Sequence, residues 1–334
     1  MSMNSFDLHN PTSLKEAIAL LDPQDAFGER VKIMAGGQDL LTEMKDRLVE
    51  PEAVVNLKHI PGLDKITHDA RTGLHIGALV KVADVAENAI VRSRFPALAM
   101  AADSIGSPQI RHAGTLGGNL CQRPRCWYYR NEHIVCLKKG GDRCYAVGGE
   151  NKYNAILGGG PSFIVHPSDS ATALMALGAT VTIQGPRGAR TVPIEKFFTL
   201  PTVRVRHENV LQANEIVTGV TVPNSPLAAR SVYLKFREKT SMDWAMSACA
   251  VALQVSGGRV TDARIVLGGV APIPWRAPGA ESLLKGRQPD PGTLQAVANA
   301  ALTGALPLAH NAYKVPLTKT LVRRAILQAV AGQA

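Results

Sequence analysis

QIRHAGTLGGN, residues 109–119, runs without a break into LCQRPRCWYYRNEHIVCLKKGGDRC, residues 120–144. The glycine-rich part, GTLGGN at 114–119, reads as a loop whose successive backbone N–H groups form a nest for an anion, which suits a pyrophosphate. The part after it places Cys126, Cys136 and Cys144 in one short stretch, with Cys121 just upstream. A phosphate cradle beside soft thiolates points to a chain that moves electrons. A second glycine run, AGGQ at 35–38, follows an apolar strand at 31–35 and offers the same freedom from a Cβ. Neither run is GxGxxG or GxxxxGK[ST], which argues against a Rossmann site and a P-loop. Each run taken alone is as readily an ordinary turn.

The cysteine spacing is C-x4-C-x9-C-x7-C. Paired CxxC or HxxxH knuckles of structural zinc and the CxxCxxC of bacterial ferredoxins are both missing. Spacing therefore leaves iron–sulfur, zinc, copper(I) or a set of unrelated thiols open. Arg123, Arg125, Arg130, Lys138, Lys139 and Arg143 interleave with the cysteines. They read either as counter-charge for a cluster or as a solvated basic loop. Cys249, inside the apolar run 245–255, reads as a packed core thiol.

The 334 residues suggest two or three compact units, 46% hydrophobic and with a net charge of +10. No run of eighteen apolar residues is present, so no membrane insertion is expected. The N-terminus lacks the basic and apolar regions of a secretory signal, which favours the cytoplasm. No motif supports nucleic acid. The pattern predicts helices at 13–22, 82–88, 97–104, 292–302 and 317–330, and strands at 31–35, 53–57, 74–79, 163–165, 179–183, 216–222, 231–236, 245–255 and 263–270. Ser13 and Glu16 have capping-box spacing. Ser168 or Asp169 starts a helix that ends at Gly178. Asp169 reads as a cap or a cofactor ligand, Lys235 as an outward lysine or a phosphate partner, and Trp127 as core or as a cover for a flat ring. No Ser–His–Asp, HExxH or paired-carboxylate arrangement is present.

The ordered set AGGQDLL (from Ala35), QIRHAGTLGGNL (from Gln109), PSDSATALMALGA (from Pro167), KFREKTSMDWA (from Lys235), GGVAPIPWRA (from Gly268) and NAYKVPL (from Asn311) resembles the FAD-binding medium subunit of the molybdenum hydroxylases, across nearly the whole chain. The cysteine insertion is similar to the branch of the periplasmic aldehyde oxidoreductase and 4-hydroxybenzoyl-CoA reductase flavin subunits, which carry an extra 4Fe–4S cluster. The resemblance implies an α+β fold: a two-subdomain FAD-binding fold of the PCMH type, then a C-terminal α+β domain with a small antiparallel sheet. The units are expected at 1–60, 61–225 with the insertion at 121–162, and 226–334. Met34, Ala35, Gly36, Gly37, Gln38 and Asp39, with Thr115, Leu116, Gly117, Gly118 and Asn119, are implied to hold the FAD pyrophosphate and ribityl. Asp169 and Lys235 are implied to reach the cofactor, with Trp127 beside it. Cys126, Cys136 and Cys144 are implied cluster ligands. The fourth ligand position of the relatives is Ser162 here, and Cys121 is the expected substitute, so that Cys121→Ala lowers iron content and Ser162→Ala does not.

The implied partners are a molybdopterin-binding large subunit, a small subunit with 2Fe–2S clusters and an external electron acceptor. An aldehyde or aromatic is oxidised on the large subunit, and electrons leave through FAD on this chain. Export on a partner's signal would place the assembly in the periplasm. The alternatives are a metal-stapled basic binding module and a free-standing flavin oxidoreductase.

Overall fold

The computed structural model describes residues 3–25 and 27–332. Three sheets follow one another along the chain, and the architecture is α+β. The first sheet is parallel, with Asp7–His9 and Val31–Met34 both paired to Ala53–Asn56 between them. Parallel neighbours need crossovers, supplied by the helices Leu14–Ala19 and Leu40–Lys45. Ser13 Oγ caps the first helix, accepting from Glu16 N at 3.2 Å. Glu16 reaches back to the N–H of Thr12 (2.8 Å) rather than to that of Ser13, so the expected capping box is displaced by one residue. Ala17, Leu21, Val55 and Leu57 form a small core beneath it.

The second sheet is antiparallel, in the order Ile66–Asp69, Gly73–Gly77, Ile216–Val222, Thr180–Gly185, Gly188–Pro193. The alanine-rich helices Pro96–Asp103 and Asp169–Ala176 belong to its core, where Leu98 and Leu174 meet Leu74, Ile76, Val181 and Val220. Every residue of Asp169–Ala176 is buried. Ser168 caps that helix, its Oγ accepting from Ala171 N at 3.0 Å. Asp169 is therefore not the cap, and its carboxylate is left for other work. Gly178 ends the helix at a φ of +71°, the left-handed conformation glycine adopts at little cost.

The third sheet is also antiparallel, in the order Trp275–Arg276, Arg259–Gly268, Ser247–Ser256, Ser231–Phe236. Strand periodicity sorts its central strand between two cores. Ala248 and Ala250 join the core of the second sheet. Cys249, Val251 and Leu253 face the core that holds the helices Pro278–Leu284, Pro291–Ala301 and Lys314–Ala331. Hydrophobic packing thus runs unbroken from the second sheet to the third, although the chain turns through two prolines near residue 225.

Two local expectations are corrected. Residues 163–165 form no strand. GTLGGN is not a loop, because Leu116–Cys121 is a helix capped by Thr115.

Candidate functional site

A cavity of about 650 Å³ opens between the two glycine runs. Ala35, Gly36, Gly37, Gln38 and Asp39 line one side; Gly114, Thr115, Gly118 and Asn119 line the other; Arg123, Arg125 and Arg130 close it. The runs approach backbone to backbone. A Cβ on Gly36 would lie 2.2 Å from Ala113 O and 2.9 Å from Gly114 Cα. Gly37 has φ +75°, in the left-handed region. Gly117 serves the packing instead. Its Cβ would meet Ala78 Cβ at 2.8 Å, so the missing side chain admits the turn after Gly73–Gly77 rather than a ligand. Leu116 is buried in the core, and neither it, Gly117 nor Met34 lines the cavity.

The second glycine run is not the anion nest that its composition suggests. Most of its N–H groups are already used. Leu116 N donates to Val80 O and Gly117 N to Ala78 O, both at 2.9 Å, and Gly118 N donates to Thr115 Oγ1 at 3.2 Å. Among the described residues no protein acceptor is found for the N–H groups of Gly36, Gly37 and Gln38. Free backbone donors are therefore on the first run.

A smaller cavity, about 220 Å³, adjoins the first and shares Arg125, Trp127 and Trp244 with it. Asp169, Ser168, His166 and Tyr153 also line it. Ser168 Oγ donates to Asn119 Oδ1 at 2.6 Å, tying the PSD segment to the GGN helix across 49 residues. Asp169 accepts from Lys235 Nζ at 2.8 Å and from the Tyr233 hydroxyl. Both charged side chains are about 5% exposed or less, so each neutralises an ion that would otherwise be costly to bury. Desolvation, and then the Asp169 carboxylate, push the Tyr233 hydroxyl far above its usual range, so it stays a donor. Lys235 faces inward, against the outward alternative, and also donates to Ser104 O at 3.2 Å. His166 is buried and its Nδ1 accepts from Ser168 N; burial pulls it down to about 4, so it is neutral near pH 7. Trp127 is 59% exposed at the cavity mouth, available to a planar ligand and not part of a core.

Asp39 organises the wall of the larger cavity. It accepts from Arg123 N (2.7 Å), Arg125 Nη1 (2.5 Å) and Arg130 Nη2 (2.8 Å). Desolvation pushes its carboxyl up, but Arg125, Arg130 and the Arg123 N–H outweigh that and hold it below its usual range. Glu43, one helical turn on, goes the other way: desolvation and the Asp39 charge push it up, and Tyr129 O–H donates to it at 2.8 Å. Glu208 is fully enclosed and pairs with Arg123 (3.0 Å) and Lys138. These two cations, with a hydrogen bond from Lys138, outweigh its desolvation and hold it below its usual range.

The cysteines do not assemble as expected. Among the described residues no group of three or more His, Cys, Asp or Glu side chains is placed to hold a metal ion. Cys126 lines the smaller cavity and accepts a long bond from Asn154 Nδ2 at 3.7 Å. Cys136 is buried at the start of a tight turn, and Cys144 is half-buried. Cys121 packs against the main core, and burial pushes its thiol up to about 12. Arg123, Arg125, Arg130 and Lys138, read as counter-charge for a cluster, instead neutralise carboxylates. The thiols form no single-ion site among the described residues, and this arrangement gives no support to a 4Fe–4S cluster. We expect Cys121→Ala to leave the iron content of the purified protein unchanged, contrary to the expectation from sequence; a drop in iron measured by elemental analysis would restore Cys121 as a ligand. Ser162 is buried.

What the sequence did not show is the pairing of its arginines with Asp39. Asp39 and Arg125 lie 86 residues apart, and no local pattern joins them.

Comparison with known proteins agrees with this geometry. Residues 4–225 match the family model described as the FAD binding domain in molybdopterin dehydrogenase, and residues 231–329 match the CO dehydrogenase flavoprotein C-terminal domain. The chain is 33% identical over 301 residues to an aldehyde oxidoreductase FAD-binding subunit of Escherichia coli (strain K12), covering 89% of this chain and 91% of that one. It is 32% identical to the carbon monoxide dehydrogenase medium chain of Hydrogenophaga pseudoflava, covering 96% of each. A solved structure of carbon monoxide dehydrogenase from Hydrogenophaga pseudoflava superimposes with a TM-score of 0.78 at 31% identity, covering 100% of both chains.

Proposed function

This chain belongs to the family of FAD-binding medium subunits of the molybdenum hydroxylases, and on that premise we propose that its FAD spans the two adjoining cavities. It is an oxidoreductase subunit that passes electrons through FAD within a multi-subunit enzyme. The observation that carries the placement is the shared wall. Gly36, Gly37, Gln38, Asp39, Thr115, Gly118 and Asn119 line one cavity, Asp169 lines the other, and Trp127 lines both. A dinucleotide is long enough to need both. The chemistry of electron transfer is supplied by the flavin when bound; the chain supplies position, charge and exclusion of water. Gly36 and Gly37 let the backbone approach the pyrophosphate, Asp169 with Lys235 fixes polar groups at the far end, and Trp127 and Trp244 flank the junction.

The partners are a molybdopterin-binding large subunit and an iron–sulfur small subunit. We assign the iron–sulfur relay, as 2Fe–2S clusters, to the small subunit and not to this chain, since no group of its described side chains is placed to hold a metal ion. The substrate is an aldehyde or aromatic, and the final acceptor is external. The units 1–60, 61–225 and 226–334 serve as the working division, supported by the two family models meeting between residues 225 and 231. No helix among the described residues is long and apolar enough to cross a membrane. We place the assembly in the cytoplasm, or in the periplasm if a partner carries the export signal. The unconverged thiols speak against a metal-stapled binding module. The test is purification of the tagged chain from its native host. One FAD per chain and copurification with two further subunits are expected; a colourless chain that purifies alone would overturn the reading.

A further inference from the structure

We infer that the arginine-rich segment after the GGN helix is the cationic wall of the pyrophosphate site, with Arg125 its principal phosphate-facing charge. The inference rests on the placement of FAD across the two cavities and adds the source of its counter-charge.

A pyrophosphate brings about two negative charges, and most N–H groups of the second glycine run already donate within the protein, to Val80, Ala78 and Thr115 among others. The first run offers only neutral donors. The remaining wall, by contrast, holds more positive charge than the protein balances. Arg125 and Arg130 share the single carboxylate of Asp39. Arg123 and Lys138 share that of Glu208. The third carboxyl nearby, Glu43, is pushed up by desolvation and by Asp39 and meets Arg130 Nη1 only at 3.7 Å. Four cations thus face three carboxyls. Among the described residues, two donors of the cluster, Arg125 Nε and Arg130 Nη1, are buried without a hydrogen-bond acceptor. Desolvation pushes the Arg125 guanidinium down despite Asp39, the direction expected of a cation short of counter-charge.

Position singles out Arg125. Its guanidinium lines both cavities, is anchored by Asp39 and by Gln122 Oε1 at 3.1 Å, and lies 4.5 Å from the ring centre of Trp244. An arginine held at one edge and stacked on one face is preorganised for a phosphate. It also links the segment to the hairpin after Ser231–Phe236.

The test uses the apo-complex, stripped of flavin, with FAD, ADP and riboflavin as probes followed by quenching of tryptophan fluorescence. FAD and ADP carry the pyrophosphate; riboflavin carries none. Arg125→Gln should weaken FAD and ADP at least tenfold and leave riboflavin unchanged, with Arg125→Lys between the two proteins. Equal weakening of all three ligands would mean that Arg125 acts only by holding Trp244 in place, and unchanged FAD and ADP affinity would also overturn the assignment. Should Arg125→Gln not assemble, the wild type decides by salt: FAD and ADP affinity must fall with ionic strength while riboflavin's does not. Salt-insensitive ADP binding overturns the proposal. Failure of the wild type to bind FAD at all would instead remove the placement on which it rests.

Discussion

Gly36→Ala is expected to yield a folded chain emptied of flavin, with the ratio of visible flavin absorbance to protein absorbance falling at least tenfold. The added methyl would sit 2.2 Å from Ala113 O, and both that oxygen and Gly114 Cα are backbone, with no flexible side chain to swing aside. The glycine runs must therefore separate. Overpacking of this kind costs about 1–3 kcal/mol, which a chain with so extended a core can absorb. The cavity cannot absorb it, because its two sides are the runs being pushed apart. A contrast isolates the effect. Gly62, in an open turn with φ +83°, has nothing within 4 Å of where a Cβ would stand, and Gly62→Ala should strain the backbone slightly yet keep the flavin. Full FAD occupancy in Gly36→Ala would show that the cofactor does not lie between the runs.

The close approach of these runs shows what could be read in the sequence and what could not. Glycines after a strand at 31–35 announced a backbone that something approaches, but the something includes the other glycine run, far along the chain. The strands of the third sheet were legible because β-branched and small residues alternate through 247–256, and a strand's period of two survives burial on both faces. The helix Leu116–Cys121 was not legible. Two adjacent glycines are poor helix formers, and what holds that helix is the Thr115 cap and the bonds to Val80 and Ala78, which only the tertiary fold supplies. The cysteine segment failed for a related reason. Nearness in sequence places thiols on one segment, yet Cys136 is buried before a left-handed turn at Gly140, while Cys121 is half-buried against the main core, beside the larger cavity. Meanwhile the basic residues around them found partners at Asp39 and Glu208, distant in the chain and unmarked by any motif.

Asp169→Ala should produce the largest loss of stability of any single change at the site. Its carboxylate balances Lys235 in a region where both are almost fully enclosed, and it accepts from the Tyr233 hydroxyl as well. Removing one member of a buried pair leaves the other ion stranded, at a cost of about 3–5 kcal/mol. Lys235 would keep only Ser104 O within reach. Chemical denaturation should show the midpoint falling without a change of slope, and flavin should be lost together with stability. Those losses have two readings, and a pair of variants separates them. Asp169→Asn combined with Lys235→Met removes both charges and keeps an acceptor for Tyr233. Replacing a buried ion pair by neutral groups of similar size is often close to neutral for stability, so most of the lost midpoint should return. FAD should not return with it, because the carboxylate lines the smaller cavity and Lys235 orients it. If the double variant recovers both stability and a full complement of FAD, Asp169 serves the fold alone, and the far end of the cofactor is held by other groups of the smaller cavity.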